Sequence, residues 1–346
     1  IEAEIGCGGM QSVFRANDAA TERKVVVKTP LPGQGKRRFA QSAIIAARVN
    51  NHNVAKTYDY FEIDERPYLV EEYVDGPNLS EALGASFLEP NAAALVFHRL
   101  ALGVAASHAA GVVHRDLKPS NVISVGGPLL TQLKITDFGI ATLTAEVFEE
   151  ASKLGDLTKS TSGTVKGALP YMAPEMIFRK RGDQPGAPSD IWSVGAMMFK
   201  LLTGTYPFGQ GFDAVANVKT GDREAWPAFM SRSPAMAGLA SELQGLVDLC
   251  LSQDEARRPT AADLAAACAN LCYSNLPRER GQVSAVDGNK RYLRSDSGEQ
   301  IFFHRKCVYG LPDPKVGDRV IFSASPGVPY RRAEPVVICI PEEPEQ

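Results

Sequence analysis

His114-Arg115-Asp116-Leu117-Lys118-Pro119-Ser120-Asn121 is followed sixteen residues later by Asp137-Phe138-Gly139, and further on by Ala173-Pro174-Glu175. Two later stretches, Ser189-Asp190-Ile191-Trp192-Ser193-Val194-Gly195 and Arg257-Arg258-Pro259-Thr260, complete an ordered series. Far upstream, Ile5-Gly6-Cys7-Gly8-Gly9-Met10-Gln11-Ser12-Val13 has the form of a hairpin whose glycines let backbone N–H groups approach phosphate oxygens. Taken alone, an ordinary glycine turn accounts for it equally well. Lys28, closing Val25-Val26-Val27, sets an ammonium in an apolar strand, where burial is costly without a negative partner. In isolation it also reads as an edge-strand lysine.

In this order and at this spacing the motifs resemble the catalytic loop, the metal-binding Asp and the end of the activation segment of protein kinases, of the bacterial, eukaryotic-like Ser/Thr type. The resemblance covers residues 1–272 and implies a bilobal α+β kinase fold. It implies ATP as phosphate donor with Mg²⁺ (or Mn²⁺), and protein Ser/Thr hydroxyls as acceptors. Asp116 is then the residue that orients the acceptor hydroxyl, with Lys118 beside the transferring phosphoryl group. Asn121 and Asp137 become the metal ligands, and Lys28 holds the phosphates. Ile5, Gly6, Cys7, Gly8 and Gly9 would cover the phosphates. Glu72-Tyr73-Val74 would form the hinge whose backbone meets adenine, with Glu71 just before it. Val13, Val26 and Ile123 would supply the apolar roof and floor. Glu175, Asp190, Trp192 and Arg258 read as structural braces and not as catalytic groups.

The organisation along the chain agrees. Residues 1 to about 70 hold short β-branched runs (24–28, 68–70) and one helical stretch near 37–49, whereas Ala92–Ala110, Asp190–Leu202, Ser241–Ser252 and Ala261–Leu271 show apolar residues at i, i+3 and i+4. The expected units are an N-lobe and hinge at 1–74, a C-lobe at 75–274, a linker at 275–280, an all-β barrel at 281–340 and a solvated tail at 341–346. The chain starts with Ile1 only five residues before the glycine loop, which implies that an upstream piece has been trimmed.

Apolar content of 44% and charge of 22% over 346 residues suit a soluble globular protein, and a net charge of −3 argues for no particular partner. No apolar run free of charge or His reaches membrane-spanning length, since His98, Arg99 and His108 interrupt the most apolar stretch. Six scattered cysteines lack a disulfide or CxxC rhythm. Cys268 and Cys272, one helical turn apart, read as small core residues, and the compartment as reducing and cytoplasmic.

Three departures from the kinase pattern stand out. Gln11 occupies the third glycine position of the loop. Ala168 stands where the family carries a Thr that bridges the catalytic Asp and Lys. No Asp or Glu occurs anywhere from Arg23 to Tyr58, so the helix that should pair with Lys28 has no carboxylate, and Ser42 falls at its Glu position. Glu71, at a gatekeeper position usually apolar, is the expected substitute, because a buried carboxylate and a buried ammonium offset one another. With a shift of one residue, Gln41 or Ser42 would face Lys28 instead.

The region 281–340 alternates apolar and polar residues between Gly/Asp/Pro turns, and resembles a cold-shock domain, a small OB-type barrel. Phe302-Phe303-His304 match its second nucleic-acid motif, whereas the first keeps only Tyr292. Residues 278–332 contain eleven Lys/Arg against six Asp/Glu, a modest basic excess. The barrel could take single-stranded nucleic acid, or Phe302 or Phe303 could fill it while it docks a protein or its own kinase domain. A kinase of this type also implies a cognate phosphatase or adaptor, and phosphorylation among Thr158, Ser160, Thr161, Ser162 and Thr164. The rival readings are a nucleotide-binding pseudokinase scaffold and a kinase-regulated nucleic-acid-binding protein.

Overall fold

A computed structural model describes residues 1–7, 11–31, 39, 43–44, 46–84, 86–138, 167–178 and 183–340. Strands β1 (Ala3–Cys7), β2 (Gln11–Asp18), β3 (Arg23–Pro30), β4 (Thr57–Ile63) and β5 (Arg66–Glu72) form one antiparallel sheet in the order β1-β2-β3-β5-β4. Strand alternation divides its side chains. Val25 and Val27 pack on one face with Ala16, Phe14, Tyr58, Tyr68 and Val70. Leu69 lies on the other face, packed with Phe39 and Ala43, both helical.

The larger lobe is built on α1 (Leu79–Leu83), α2 (Pro90–Ala109), α3 (Pro174–Ile177), α4 (Ala187–Thr203), α5 (Gly211–Thr220), α6 (Pro234–Cys250) and α7 (Ala261–Ala269). Helix α2 begins at Pro90, whose fixed φ suits a first turn, and Glu89 caps it by accepting from the Asn91 and Ala92 N–H groups. By length and composition α2 could cross a membrane, but 56% of its apolar window is buried inside the protein. Helix α4 is buried almost throughout. It approaches α6 at Gly195, where a Cβ would lie 2.6 Å from the Cβ of Cys250. Helix α6 starts seven residues before the expected Ser241, because Pro234 opens it. Helix α7 stops at Ala269, before the i+4 spacing reaches Cys272. Cys268 is therefore buried, whereas Cys272 is exposed and not a core residue.

The hairpin of β6 (Val122–Val125) and β7 (Gln132–Ile135) lies at the junction of the lobes. Ile135 exchanges backbone hydrogen bonds with Asn53 and Ala55, tying β7 to the chain that enters β4.

At the C-terminal end, β8 (Arg278–Asp287), β9 (Lys290–Ser295), β10 (Gln300–His304), β12 (Arg319–Ser325) and β13 (Arg332–Ile338) close into a five-stranded barrel through a β10–β13 pairing, and the short β11 (Val308–Tyr309) adds to β13. Strand β8 begins inside the stretch expected to be linker: Arg278, Glu279 and Arg280 pair with Ser323, Phe322 and Ile321. Phe303 fills the barrel with Val283, Leu293, Ile301 and Phe322, which leaves Phe302 on the outer surface.

Candidate active site

The loop at 114–121 is suspended from a buried carboxylate. Asp190, fully buried near the start of α4, accepts the N–H of Arg115 at 2.7 Å and that of His114 at 2.8 Å, and its Oδ2 meets His108 Nε2 at 2.8 Å. These bonds offset the cost of holding Arg115 at a left-handed φ of 61°. The loop then delivers Asp116, a buried residue whose carboxylate is contacted by Lys118 Nζ at 3.0 Å and Asn121 Nδ2 at 3.0 Å. Asn121 Nδ2 also donates to the Asp116 carbonyl at 2.7 Å. Thus Asp116 has two side-chain restraints even though Ala168 offers no hydroxyl.

Strand β7 delivers the second acidic group. Asp137 has a φ of 66°, the same left-handed region as Arg115. Its Oδ1 accepts from Lys28 Nζ at 2.6 Å and, more weakly, from Gln11 Nε2 at 3.4 Å. Its Oδ2 accepts from the Thr136 hydroxyl at 3.3 Å. Lys28 also forms an ion pair with Glu71. Burial alone would depress the Lys28 pKa, but the Asp137 and Glu71 carboxylates outweigh it and hold the ammonium above the ordinary lysine range. Burial likewise pushes the Asp137 carboxyl up, and Lys28 brings it below the ordinary range.

One residue along, Glu72 reaches across the lobes to Lys134 of β7 at 2.8 Å, and its backbone N–H donates to the Lys56 carbonyl. Val13, Val26, Val74 and Ile123 are half-buried, and Ile5 is exposed. Strands β1 and β2 bring Gly6 opposite Val13, whereas Gly8, Gly9 and the side chain of Cys7 lie outside the described residues. So do Gln41, Ser42 and the hydroxyls between Thr158 and Thr164.

Lys134 was not singled out by sequence reasoning, and Gln11 was noted only as a departure from the loop's third glycine, not as a neighbour of Asp137. A signal for Lys134 existed, since a lone charge in Leu133-Lys134-Ile135 is as anomalous as Lys28 in its valine run. Gln11 carried none beyond standing where a glycine was expected.

Farther along, Arg258 braces the lobe by a two-pronged contact with Glu175 (2.6 and 3.0 Å), its guanidinium 5.0 Å from the Trp192 ring centre.

Among the described residues no cluster of three or more His, Cys, Asp or Glu could cage a metal. The donors at this site instead suit Mg²⁺, which takes few protein oxygens and keeps water or phosphate for the rest. With all three groups ionised, Lys28, Glu71 and Asp137 carry one negative charge in excess. Asn121 commits its Nδ2 to Asp116, so its Oδ1 is the atom a hard cation would take.

These features define a protein kinase domain. The model of that family matches residues 1–268, and the chain belongs to it. The serine/threonine-protein kinase PknJ of Mycobacterium tuberculosis is 29% identical over 283 residues, 79% of this chain and 45% of that protein. PrkC of Bacillus subtilis is 33% identical over 210 residues, 59% and 30% of the two chains. The kinase pkn3 of Myxococcus xanthus is 30% identical over 273 residues, 76% and 48%. The chain spans less than half the length of each of these relatives. A crystal structure of Rad53 residues 1–466 in complex with AMP-PNP superposes with a TM-score of 0.57 over 77% of this chain and 63% of that one. At 23% identity it speaks for the fold alone.

Proposed function

We propose that this chain is a Mg-ATP-dependent Ser/Thr protein kinase of a bacterial signalling system, which phosphorylates protein hydroxyls and its own activation segment. The observation that carries this reading is the 2.6 Å bond from Lys28 to Asp137 across the lobes, beside an Asp116 braced by Lys118 and Asn121. A pseudokinase scaffold would have no need of all five residues. In the reaction, Lys28 and the hinge at Glu72–Val74 orient the nucleotide, Asp116 takes the acceptor hydroxyl's hydrogen bond, and Lys118 neutralises charge developing on the phosphoryl oxygens. Asn121 and Asp137 would hold Mg²⁺, which supplies further charge neutralisation when bound.

The test is transfer of γ-phosphate by the purified chain, with phosphosites mapped by mass spectrometry. Wild-type transfer that Asp137→Ala and Asp116→Asn abolish supports the proposal, and phosphate between Thr158 and Thr164 supports self-activation. Mg-ATP binding without transfer means a scaffold.

A second role, for the barrel, rests on one observation. Tyr292 meets Phe302 and Tyr330 edge-on, with ring centres 5.7 and 5.6 Å apart; Lys290 and Arg294 are exposed on the same strand as Tyr292, and exposed Arg332 of β13 pairs with Phe302. Such a surface suits stacked bases, as in the cold-shock resemblance, and each ring then contributes about 1–3 kcal/mol. Fluorescence polarisation with single-stranded RNA, repeated for Tyr292→Ala and Phe302→Ala, decides it. No binding by the wild type at low salt assigns the barrel to protein docking, with an adaptor or phosphatase as the candidate partner.

A further inference from the structure

We infer that Glu71 is the residue that positions Lys28, so that the placement of this lysine is built into the β3–β5 ladder and not into the helical segment that carries Phe39 and Ala43. The inference rests on the kinase reading above and adds to it how the site is held in order.

The register brings the two residues together. Lys28 stands directly opposite Leu69, and Val26 directly opposite Glu71. Residues two apart on a strand share a face, so Lys28 and Glu71 are diagonal neighbours on one side of the sheet, within reach of long side chains. Both are buried, at 5% exposure each, and they form an ion pair. Glu71 could not stay there without Lys28, because an unpaired buried ion costs more than the fold can easily supply, and Lys28 needs a fixed anion beside it before Asp137 is drawn into metal binding.

The helical segment offers no alternative anion. From Arg23 to Tyr58 the chain has no Asp or Glu. Among the described residues of that segment, Phe39 and Ala43 meet β5 through Leu69, an apolar contact that sets the segment's position without touching the charge of Lys28. In the kinase family the lysine's carboxylate comes from this helix, and moving the helix breaks the pair. Here the carboxylate comes from the strand leading into the hinge, and strands β3 and β5 are hydrogen-bonded neighbours. Displacing the helical segment leaves Lys28 paired, and Asp137 with it.

Glu71 acts through Lys28 and is a positioning residue. The experiment uses the full chain, with initial rates at varied ATP and melting temperatures with and without Mg-ADP. Glu71→Gln keeps the shape and removes the charge. We expect kcat/KM for ATP to fall about 30-fold and the Mg-ADP shift to shrink, with Glu71→Asp recovering most of the loss. Phe39→Ala removes the apolar anchor of the segment. It should lower the melting temperature yet change kcat/KM by less than about threefold, with Phe39→Leu in its place if the alanine variant does not fold. Wild-type kinetics in Glu71→Gln, or a loss in the Phe39 variants as large as that in Glu71→Gln, overturns the inference. Should the wild type bind nucleotide without turnover, the kinase reading fails by itself. Mg-ADP affinity then decides: about tenfold weaker binding in Glu71→Gln supports the positioning role, and unchanged affinity overturns it.

Discussion

The phenol of Tyr309 donates a hydrogen bond to the carbonyl of Leu202 at 3.2 Å, joining the barrel to the last turn of α4. Its ring meets Phe229 edge-on at 5.3 Å, and Phe229 meets Phe87 at the same distance. Tyr309 and Val337 belong to the same buried cluster as the helices of the large lobe. At the other end of the seam, Arg278 donates to the Pro128 carbonyl at 2.6 Å and lies in the field of Glu89. Burial pushes the Glu89 carboxyl up, and Arg278 partly offsets that. Ser233 donates to Glu334 at 2.9 Å, and the Ile340 N–H donates to Ser86 at 2.8 Å. The barrel completes the core of the lobe.

Undocking should therefore cost the kinase lobe stability. Tyr309→Phe removes one hydrogen bond, about 1 kcal/mol, whereas Tyr309→Ala also opens a cavity, about 3–5 kcal/mol. Gly310→Ala is a sharper probe. The residue has a φ of 89°, and a Cβ there would run into the Phe87 ring. Thermal unfolding should show one transition in the wild type and a lower or split one in Gly310→Ala. A wild-type melting profile for both Gly310→Ala and Tyr309→Ala would mean that the seam contributes nothing.

The large lobe was legible because its helices repeat their apolar residues at i, i+3 and i+4, and because its motifs sit on short local turns. The strand β4 was not read, since Thr57–Ile63 carries Asp59 and Glu62 and is largely exposed. The proximity of Lys28 and Glu71 could be reasoned from two anomalous charges in neighbouring apolar strands. Contacts such as Phe87 with Gly310 and Gln11 with Asp137 join residues far apart in sequence through ordinary side chains, so no local pattern announces them. Nor did the residues at 275–280 reveal that Arg278 starts a strand, because charged and turn-forming residues surround it.

Asp190 accepts three hydrogen bonds with no exposure to solvent, so its removal should act on catalysis through the loop it suspends. Asp190→Ala leaves the buried N–H groups of His114 and Arg115 without an acceptor and releases the left-handed turn at Arg115. The cost is about 3–5 kcal/mol, enough to unfold a marginal domain. Asp190→Asn keeps one acceptor and should retain the fold, with a lowered melting temperature and a kcat reduced at least about tenfold. Unchanged kcat in a folded Asp190→Asn protein would show that the loop holds itself.

The cysteines divide by burial, and alkylation at pH 8 should reveal it. Only the thiolate reacts. Burial pushes the Cys268 thiol up to about 12 and the Cys307 thiol up to about 11, with Cys250 shifted further still. Cys272 is exposed. Peptide mapping after brief iodoacetamide treatment should find Cys272 modified first, and Cys250 and Cys268 only after denaturation. Equal labelling of all four in the folded protein would contradict the burial of α6 and α7.

Gln11 reaches Asp137 from the position where kinases carry a loop glycine. At 3.4 Å the hydrogen bond is long, so its own contribution is small. Its neutrality matters more. Asp137 and Glu71 already place two carboxylates around the single charge of Lys28, and Gln11 is itself buried. Gln11→Glu would bring a third carboxylate beside them, and like charges held together out of water repel strongly. We expect Gln11→Glu to lower stability by about 1–3 kcal/mol. It should also cut ATP turnover at least about tenfold. Gln11→Gly restores the family's residue but loosens β2 by about 0.5–1 kcal/mol and gives up the amide contact, so turnover should fall only severalfold. Melting curves without nucleotide separate the electrostatic effect from any effect on phosphate binding, because only the former persists there. If Gln11→Glu melts as the wild type does, the side chain at position 11 does not share the buried charge cluster of Lys28, Glu71 and Asp137.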